Sequence, residues 1–189
     1  MNHLTLQVVG GLLYLLNKVF LNLMERKRKD ADRFWFWRKM AWGSYLLGLP
    51  PIVAIFFLEK DWIFGSIELG GAPAMLCGLV AAFSRKDAPK WLDWLALGAV
   101  PVGLVLSVWD LGSFGSLTQL LEVAGSAGFL IGTYFLAKDR EVGYYWFMLM
   151  NLTTGTLLYI QDYYLFVPQQ ILSVFLIVDA HRIRRKTAR

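Results

Sequence analysis

Histidine, cysteine and charge are all scarce in this chain of 189 residues, which holds two histidines, one cysteine and 17% charged side chains. A single cysteine, Cys77, allows neither an intramolecular disulfide nor a multi-cysteine metal site, and in its apolar segment it reads as a packing residue. His3 and His181 lie far apart in sequence with no clustered ligands beside them. Hydrolytic or metal-dependent chemistry needs more than that, so the expectation is a protein that is not an enzyme and uses no cofactor or metal. No lysine falls between Tyr163 and Ala180, which removes the usual Schiff-base form of a retinal protein. Basic residues outnumber acidic ones, 19 to 14, but no nucleic-acid-binding module accompanies them.

What the chain has in quantity is apolar length. Hydrophobic residues make up 57% of it and the mean hydropathy is +0.47, against about 45–50% apolar and about 25% charged for a typical soluble domain. A bilayer crossing takes roughly 20 apolar residues, and seven such blocks occur, at about 4–24, 40–58, 62–83, 91–109, 115–137, 143–160 and 163–180. They predict an all-α integral membrane protein with seven transmembrane helices and no soluble domain. The first block, preceded by MNHLTLQVVGG, has neither a basic leader nor a cleavage site of small residues, so it is expected to stay as a helix.

Charge sets the expected orientation. All but two of the basic residues fall in alternate connections: Arg26 to Lys39, then Arg85, Lys86 and Lys90, then Lys138 and Arg140, and finally the tail from Arg182 to Arg189. The exceptions are Lys18, inside the first block and expected to snorkel to the interface, and Lys60 in an outer turn. Positive residues gather on the cytoplasmic side, which predicts a multi-pass cell (inner) membrane protein with its N-terminus outside and its C-terminus in the cytoplasm.

The blocks also repeat. Sliding the chain by about 101 positions pairs Lys60–Asp61 with Gln161–Asp162, Trp62 with Tyr163, Glu68 with Gln169 and Pro50 with Asn151. Spans one to three and five to seven share an orientation only if a single helix links them. The expected plan is 3+1+3: residues 1–83 as the first three-helix repeat, 84–112 as the linker helix, and 113–189 as the second repeat with a basic tail. Such parallel repeats are related by an axis along the membrane normal, as in SWEET transporters, and hold substrate between the halves.

Polar side chains in hydrocarbon are costly and need a reason. Asn151 lies about 12 Å into its span at 1.5 Å per residue, and Gln169 and Gln170 about 10 Å. Glu68 and Glu122 come out at similar depth. Together they predict a wet layer between the halves, although amides also serve as interhelical glue. Adjacent residues on a helix point about 100° apart, so one glutamine of the pair can face the cavity while the other meets a neighbour; Gln169 is expected to face it. The aromatic runs FWFW at 34–37 and YYWF at 144–147 suit an interfacial belt. Tyr144, Phe147, Asn151 and Thr154 also fall on one helical face, where rings could stack on a flat solute above an amide.

The segment EVGYYWFMLMNLTTGTLLYIQDYYLFVPQQILSVFLIVDAHRIRR resembles the C-terminal triplet of the PnuC family of nicotinamide riboside transporters. That family carries a Trp-x2-Trp-x3-Asn element, a Gln in the next outer turn, and two polar residues on the last span. Tyr144, Phe147, Asn151, Gln161, Gln169 and Asp179 stand at those places without gaps, with Trp146 nearby; Pro50–Pro51 stands where the first triplet of the family has Asn. The resemblance implies a SWEET-like fold and facilitated diffusion of a vitamin precursor, nicotinamide riboside or a related aromatic vitamin, drawn inward by phosphorylation in the cytosol. The substrate-binding set expected is Asn151, Gln169, Tyr144, Trp146, Phe147, Glu68, Gln161, Asp179 and Glu122. Expected partners are the lipid bilayer and a small-molecule solute, with no nucleic acid and with a homo-oligomer left open. The competing expectation is a non-transporting accessory membrane protein that keeps the fold.

Overall fold

A computed structural model describes residues 3–110, 116–160 and 167–188. Eight helices account for nearly all of them: α1 (His3–Arg26), α2 (Ala31–Leu58), α3 (Trp62–Gly70), α4 (Ala72–Ser84), α5 (Lys90–Asp110), α6 (Leu117–Ala137), α7 (Val142–Ile160) and α8 (Val167–Ala188). No strand occurs among the described residues. Among the described residues, five segments are long and apolar enough to cross a membrane: Leu4–Arg26, Ala31–Leu58, Trp62–Ser84, Lys90–Trp109 and Leu117–Ala137. The chain is therefore an all-helical protein with the character of a membrane protein.

Local chemistry explains the element bounds. Asp30 accepts a hydrogen bond from the Arg33 N–H and starts α2; Asp61 does the same for Phe64 and starts α3. Ser116 and Gln119 form a reciprocal capping box at α6. Because Asp30 caps so early, α2 begins at Ala31 and takes in the whole FWFW run, nine residues before the predicted start of that span. The third span, predicted as one rod, is two helices. Pro73 has no N–H to give the Leu69 carbonyl, and the Gly71 N–H instead reaches back three residues to Glu68. The last span runs past Ala180 to Ala188, so part of the basic tail is helical.

The helices pack in a closed order. α2 lies between α1 and the α3–α4 pair, α7 lies between α6 and α8, α1 meets α8, and α4 meets α6; α5 rests on α3, α4 and α6. The interior holds Trp42, Tyr45, Met75, Leu130, Phe147 and Ile177. Leu47, Val102, Val105 and Phe175 are each at least 60% exposed, an apolar surface on a scale that suits lipid rather than water. On α5 the exposed Trp91 and Trp94 stand near one end and Trp109 near the other, roughly 22 Å or more apart at 1.5 Å per residue. Tryptophans at both ends of an apolar helix suit the two interfaces of a bilayer.

α6 and α7 approach backbone to backbone at Gly128. A Cβ on Gly128 would sit 2.7 Å from the Met150 backbone nitrogen and 2.8 Å from the Trp146 carbonyl oxygen, so only glycine lets these backbones meet. Gly43 of α2 has open space around it. Gly128→Val should therefore lower the thermal unfolding midpoint, with a loss of about 1–3 kcal/mol or more from overpacking. Gly43→Ala should leave it unchanged or raise stability by up to about 1 kcal/mol. Equal effects at the two positions in a detergent melt would contradict this packing.

Candidate functional site

Helices from both halves of the chain surround a cavity of about 730 Å³. α1 contributes Gln7, Gly11 and Tyr14; α2 contributes Tyr45, Ile52, Ile55 and Phe56; α3 contributes Phe64, Ile67 and Glu68. Across from them stand Glu122, Ser126 and Phe129 of α6, Met150 and Thr154 of α7, and Gln169 and Gln170 of α8. Glu59 and Asp61, in and beside the α2–α3 connection, complete one end. Among the described residues, four carboxylates thus line the cavity and no lysine, arginine or histidine does. Five aromatic rings share the wall.

The expected site residues divide between this cavity and the rest of the bundle. Glu68, Glu122 and Gln169 line it. Glu68 accepts a 2.9 Å hydrogen bond from the Tyr14 hydroxyl. Both glutamines of the pair reach the cavity, and Gln169 is also the one that meets a neighbour: its amide donates to the Gly11 carbonyl at 3.0 Å, an approach that the missing side chain of Gly11 makes possible. The expected division of labour, one glutamine for the cavity and the other for a helix, is therefore replaced by one residue doing both.

The aromatic stripe on α7 does face inward, but only Thr154 reaches the cavity wall. Asn151 is 2% exposed and donates to the Phe147 carbonyl of its own helix at 2.6 Å. Phe147 is fully buried against Tyr45. Trp146 packs at the α6–α7 contact beside Gly128 and Gly132. The Tyr144 hydroxyl donates to Glu25 at 2.7 Å, at the opposite end of the bundle. Asp179 accepts from Asn22 and pairs with Arg26, joining α8 to α1 away from the cavity. Helical phase predicts which face turns inward; it does not say how far along the axis an opening extends. Gln161 lies outside the described residues.

Lys18 is the main correction. It does not snorkel: it is 2% exposed, with its Nζ 4.4 Å from the Tyr45 ring centroid, 4.9 Å from Phe147 and 5.5 Å from Tyr14. The residue four before it on the same helix face is Tyr14, so the ammonium folds back over its own turn into a cage of rings. Tyr14, Tyr45, Phe56 and Phe129 were not singled out from the sequence, because isolated aromatics in apolar runs look like ordinary filling. The one available signal was the Tyr14–Lys18 pair, a charge and a phenol at i, i+4 in a helix otherwise without charge until Glu25.

The end opposite Glu59 and Asp61 is closed by an ionic cluster. Arg28 binds Glu25 at 2.6 Å and Asp139 at 2.6 Å, and Arg184 of α8 binds Asp139 at 2.9 Å and the Asp139 carbonyl. Arg38 of α2 donates to the Ala137 carbonyl at 2.7 Å. The end of α1, the start of α2, the α6–α7 connection and α8 are thereby tied together. Compared with known proteins, the chain matches no family model, no curated protein and no solved structure.

Asp139 lies in the connection outside the helices. Burial works against its ionised form, but the hydrogen bonds and charge of Arg28, with Arg184 and Arg38 behind, hold its carboxyl below the usual carboxylate range. A depressed value in the folded state means stability that is fully present above the unfolded aspartate value, about 3.9, and is lost as pH falls below it. The unfolding midpoint should accordingly fall steeply below about pH 4. Asp139→Asn should cost about 1–3 kcal/mol at pH 7 and flatten part of that acid slope. An unchanged slope in the variant would remove Asp139 from the closure.

Proposed function

We propose that this chain is a membrane carrier for a small, flat, positively charged solute, with nicotinamide riboside or a related aromatic vitamin as the expected cargo. The observation that carries the proposal is the cavity between the two halves, whose described wall residues include four carboxylates and five rings and no basic residue. Its volume of about 730 Å³ falls in the range of roughly 300–1,000 Å³ typical of small-molecule sites. Carboxylates attract a cation through a low-dielectric wall, and rings hold it by cation–π attraction. Gln169, Gln170, Ser126 and Thr154 add neutral groups that could bind a solute's polar edge.

The packing order supports a 3+1+3 plan. The middle helix of each triplet, α2 or α7, sits between the other two; α1 meets α8 as α6 meets α4; and α5 is left as the linker. Two like-oriented triplets about an axis along the membrane normal produce that pattern, and in such proteins the site lies between them. The break at Gly71 falls three residues after Glu68, in keeping with interrupted helices beside transporter sites. With the basic end in the cytoplasm, the acidic end faces outward and the Glu25–Arg28–Asp139–Arg184 cluster is the inner closure. Carriage across the membrane requires that cluster to part while the acidic end closes. Under this reading inward flow follows the solute's own gradient or is coupled to a second ion.

The alternative, an accessory protein that keeps the fold without transport, is favoured by one observation. Tyr144, Phe147 and Asn151, which the family resemblance assigns to substrate, are committed to contacts within the protein.

Thermal-shift measurements on purified protein separate the two. Nicotinamide riboside and thiamine, both cations, should raise the midpoint, whereas riboflavin and glucose should not. Glu68→Gln should weaken binding of the cations by tenfold or more. If neither cation binds, the accessory reading takes precedence. Asn151→Leu should lower stability yet change cation affinity less than threefold; loss of binding without loss of stability would return Asn151 to the site.

A further inference from the structure

Below the cavity, Lys18 and Glu68 stand on either side of one side chain. The Tyr14 hydroxyl is bonded to the Glu68 carboxylate at 2.9 Å, and the Tyr14 ring lies 5.5 Å from the Lys18 Nζ. Glu68, Tyr14 and Tyr45 reach the cavity wall; Lys18 sits behind the rings. Among the described residues its ammonium makes no hydrogen bond and no ion pair; it has three ring contacts and a longer-range attraction to Glu68. An ammonium inside a membrane without oxygen acceptors is costly, and ring faces return only part of that cost, about 2 kcal/mol each when desolvated.

We propose that Lys18, Tyr14 and Glu68 form a proton-exchange element, in which one proton leaves Lys18 for each flat monocation that settles against Glu68.

Repulsion between like charges in a low-dielectric interior is the reason. With the cavity empty, the Lys18 ammonium offsets part of the negative charge of the wall. A solute cation beside Glu68 adds a second positive charge near the first and competes with it for the same carboxylate. Loss of the Lys18 proton removes that repulsion: carboxylate and solute cation remain, the amine is neutral, and the proton departs through the cavity to water. Every atom and charge is accounted for, one cation bound and one proton released. The reverse step, protonation of Lys18, would expel the cation. In a carrier this couples the solute to a proton moving the opposite way.

The titratable groups facing the pair come from three helices. α1 supplies Tyr14, α2 supplies Tyr45 and α3 supplies Glu68, while α7 presents the neutral Phe147 and α8 meets α1 through the Gln169 amide. Glu59, Asp61 and Glu122 share the cavity wall. Their carboxylates can attract the cation.

The inference rests on the carrier reading for its biological sense and is tested apart from it. The test uses the whole protein in detergent with weak buffer, a pH-indicator dye, and 1-methylnicotinamide as the cation, with neutral nicotinamide as the control. Wild-type protein should release about one proton per 1-methylnicotinamide bound and none with nicotinamide. Its affinity should rise up to tenfold per pH unit over the range in which the proton is released. Lys18→Met removes the proton donor and Lys18→Arg keeps the charge but cannot lose it; both should abolish release and leave the affinity flat with pH. Cation binding without release, release that survives in the arginine variant, or no binding at all would overturn the exchange element. Uptake into liposomes is measured in parallel. Release without uptake would sink the carrier and spare the exchange, whereas uptake without release would do the reverse.

Discussion

A charge removed from water must be answered where it lies, and most of what is distinctive here follows from that constraint. At the basic end the answer is ionic: Glu25, fully buried at the carboxylate, is met by Arg28, Arg184 and the Tyr144 hydroxyl. Midway along α1 no oxygen is available to Lys18, and the answer is aromatic, from Tyr45, Phe147 and its own Tyr14. At the cavity wall Glu68 has a phenol. The three solutions form a ladder along the bundle, and their differing strengths matter. Guanidinium–carboxylate pairs with several hydrogen bonds are strong and geometrically fixed. A ring cage is weaker and indifferent to direction. The basic end is therefore the costlier level to part, and the level of Lys18 the easier one to change state.

The same constraint explains what could be seen in the sequence. Apolar blocks, alternating basic loops and helical phase depend on composition and local spacing, so the element order was legible along with the inward face of α7. Glu68, Glu122 and Gln169 could be placed at one depth because a rise per residue converts position into height. What could not be read is where each polar group spends its bonds. Asn151 has the right depth and phase for a site, yet its amide bonds the carbonyl four residues back, a choice fixed by the ring of Phe147 and the tight α6–α7 contact. Lys18 reads as a snorkelling residue from its position alone, and only the approach of α2 and α7 supplies the rings that hold it inside.

Aromatic density and the aromatic wall of the cavity lie in different parts of the chain. The runs FWFW and YYWF attract notice by density, but density reflects the interface and the basic-end closure: Trp35 lies 5.2 Å from the Arg38 guanidinium and Tyr144 bonds Glu25. The rings on the cavity wall are dispersed, one or two per helix, on α1, α2, α3 and α6. A wall built from several helices needs only one ring from each. A binding surface assembled by tertiary packing therefore leaves little local trace, whereas an interfacial belt leaves a strong one.

The cavity's one-sided charge now gains a physical limit. Carboxylates gathered on one wall repel, and water alone would screen them poorly between helices. Part of the compensation comes from within: the Tyr14 hydroxyl at Glu68 and the ammonium of Lys18 behind it. That compensation is incomplete by construction, because Lys18 is held back by the rings and forms no ion pair with Glu68. A residual negative field is thus left on the cavity side, while the positive counterpart is hidden behind the rings. Shifting Lys18 forward into contact with Glu68 would remove that carboxylate's share of the field. The separation of the two charges by one tyrosine is what lets a buried lysine stabilise the empty protein without satisfying the site.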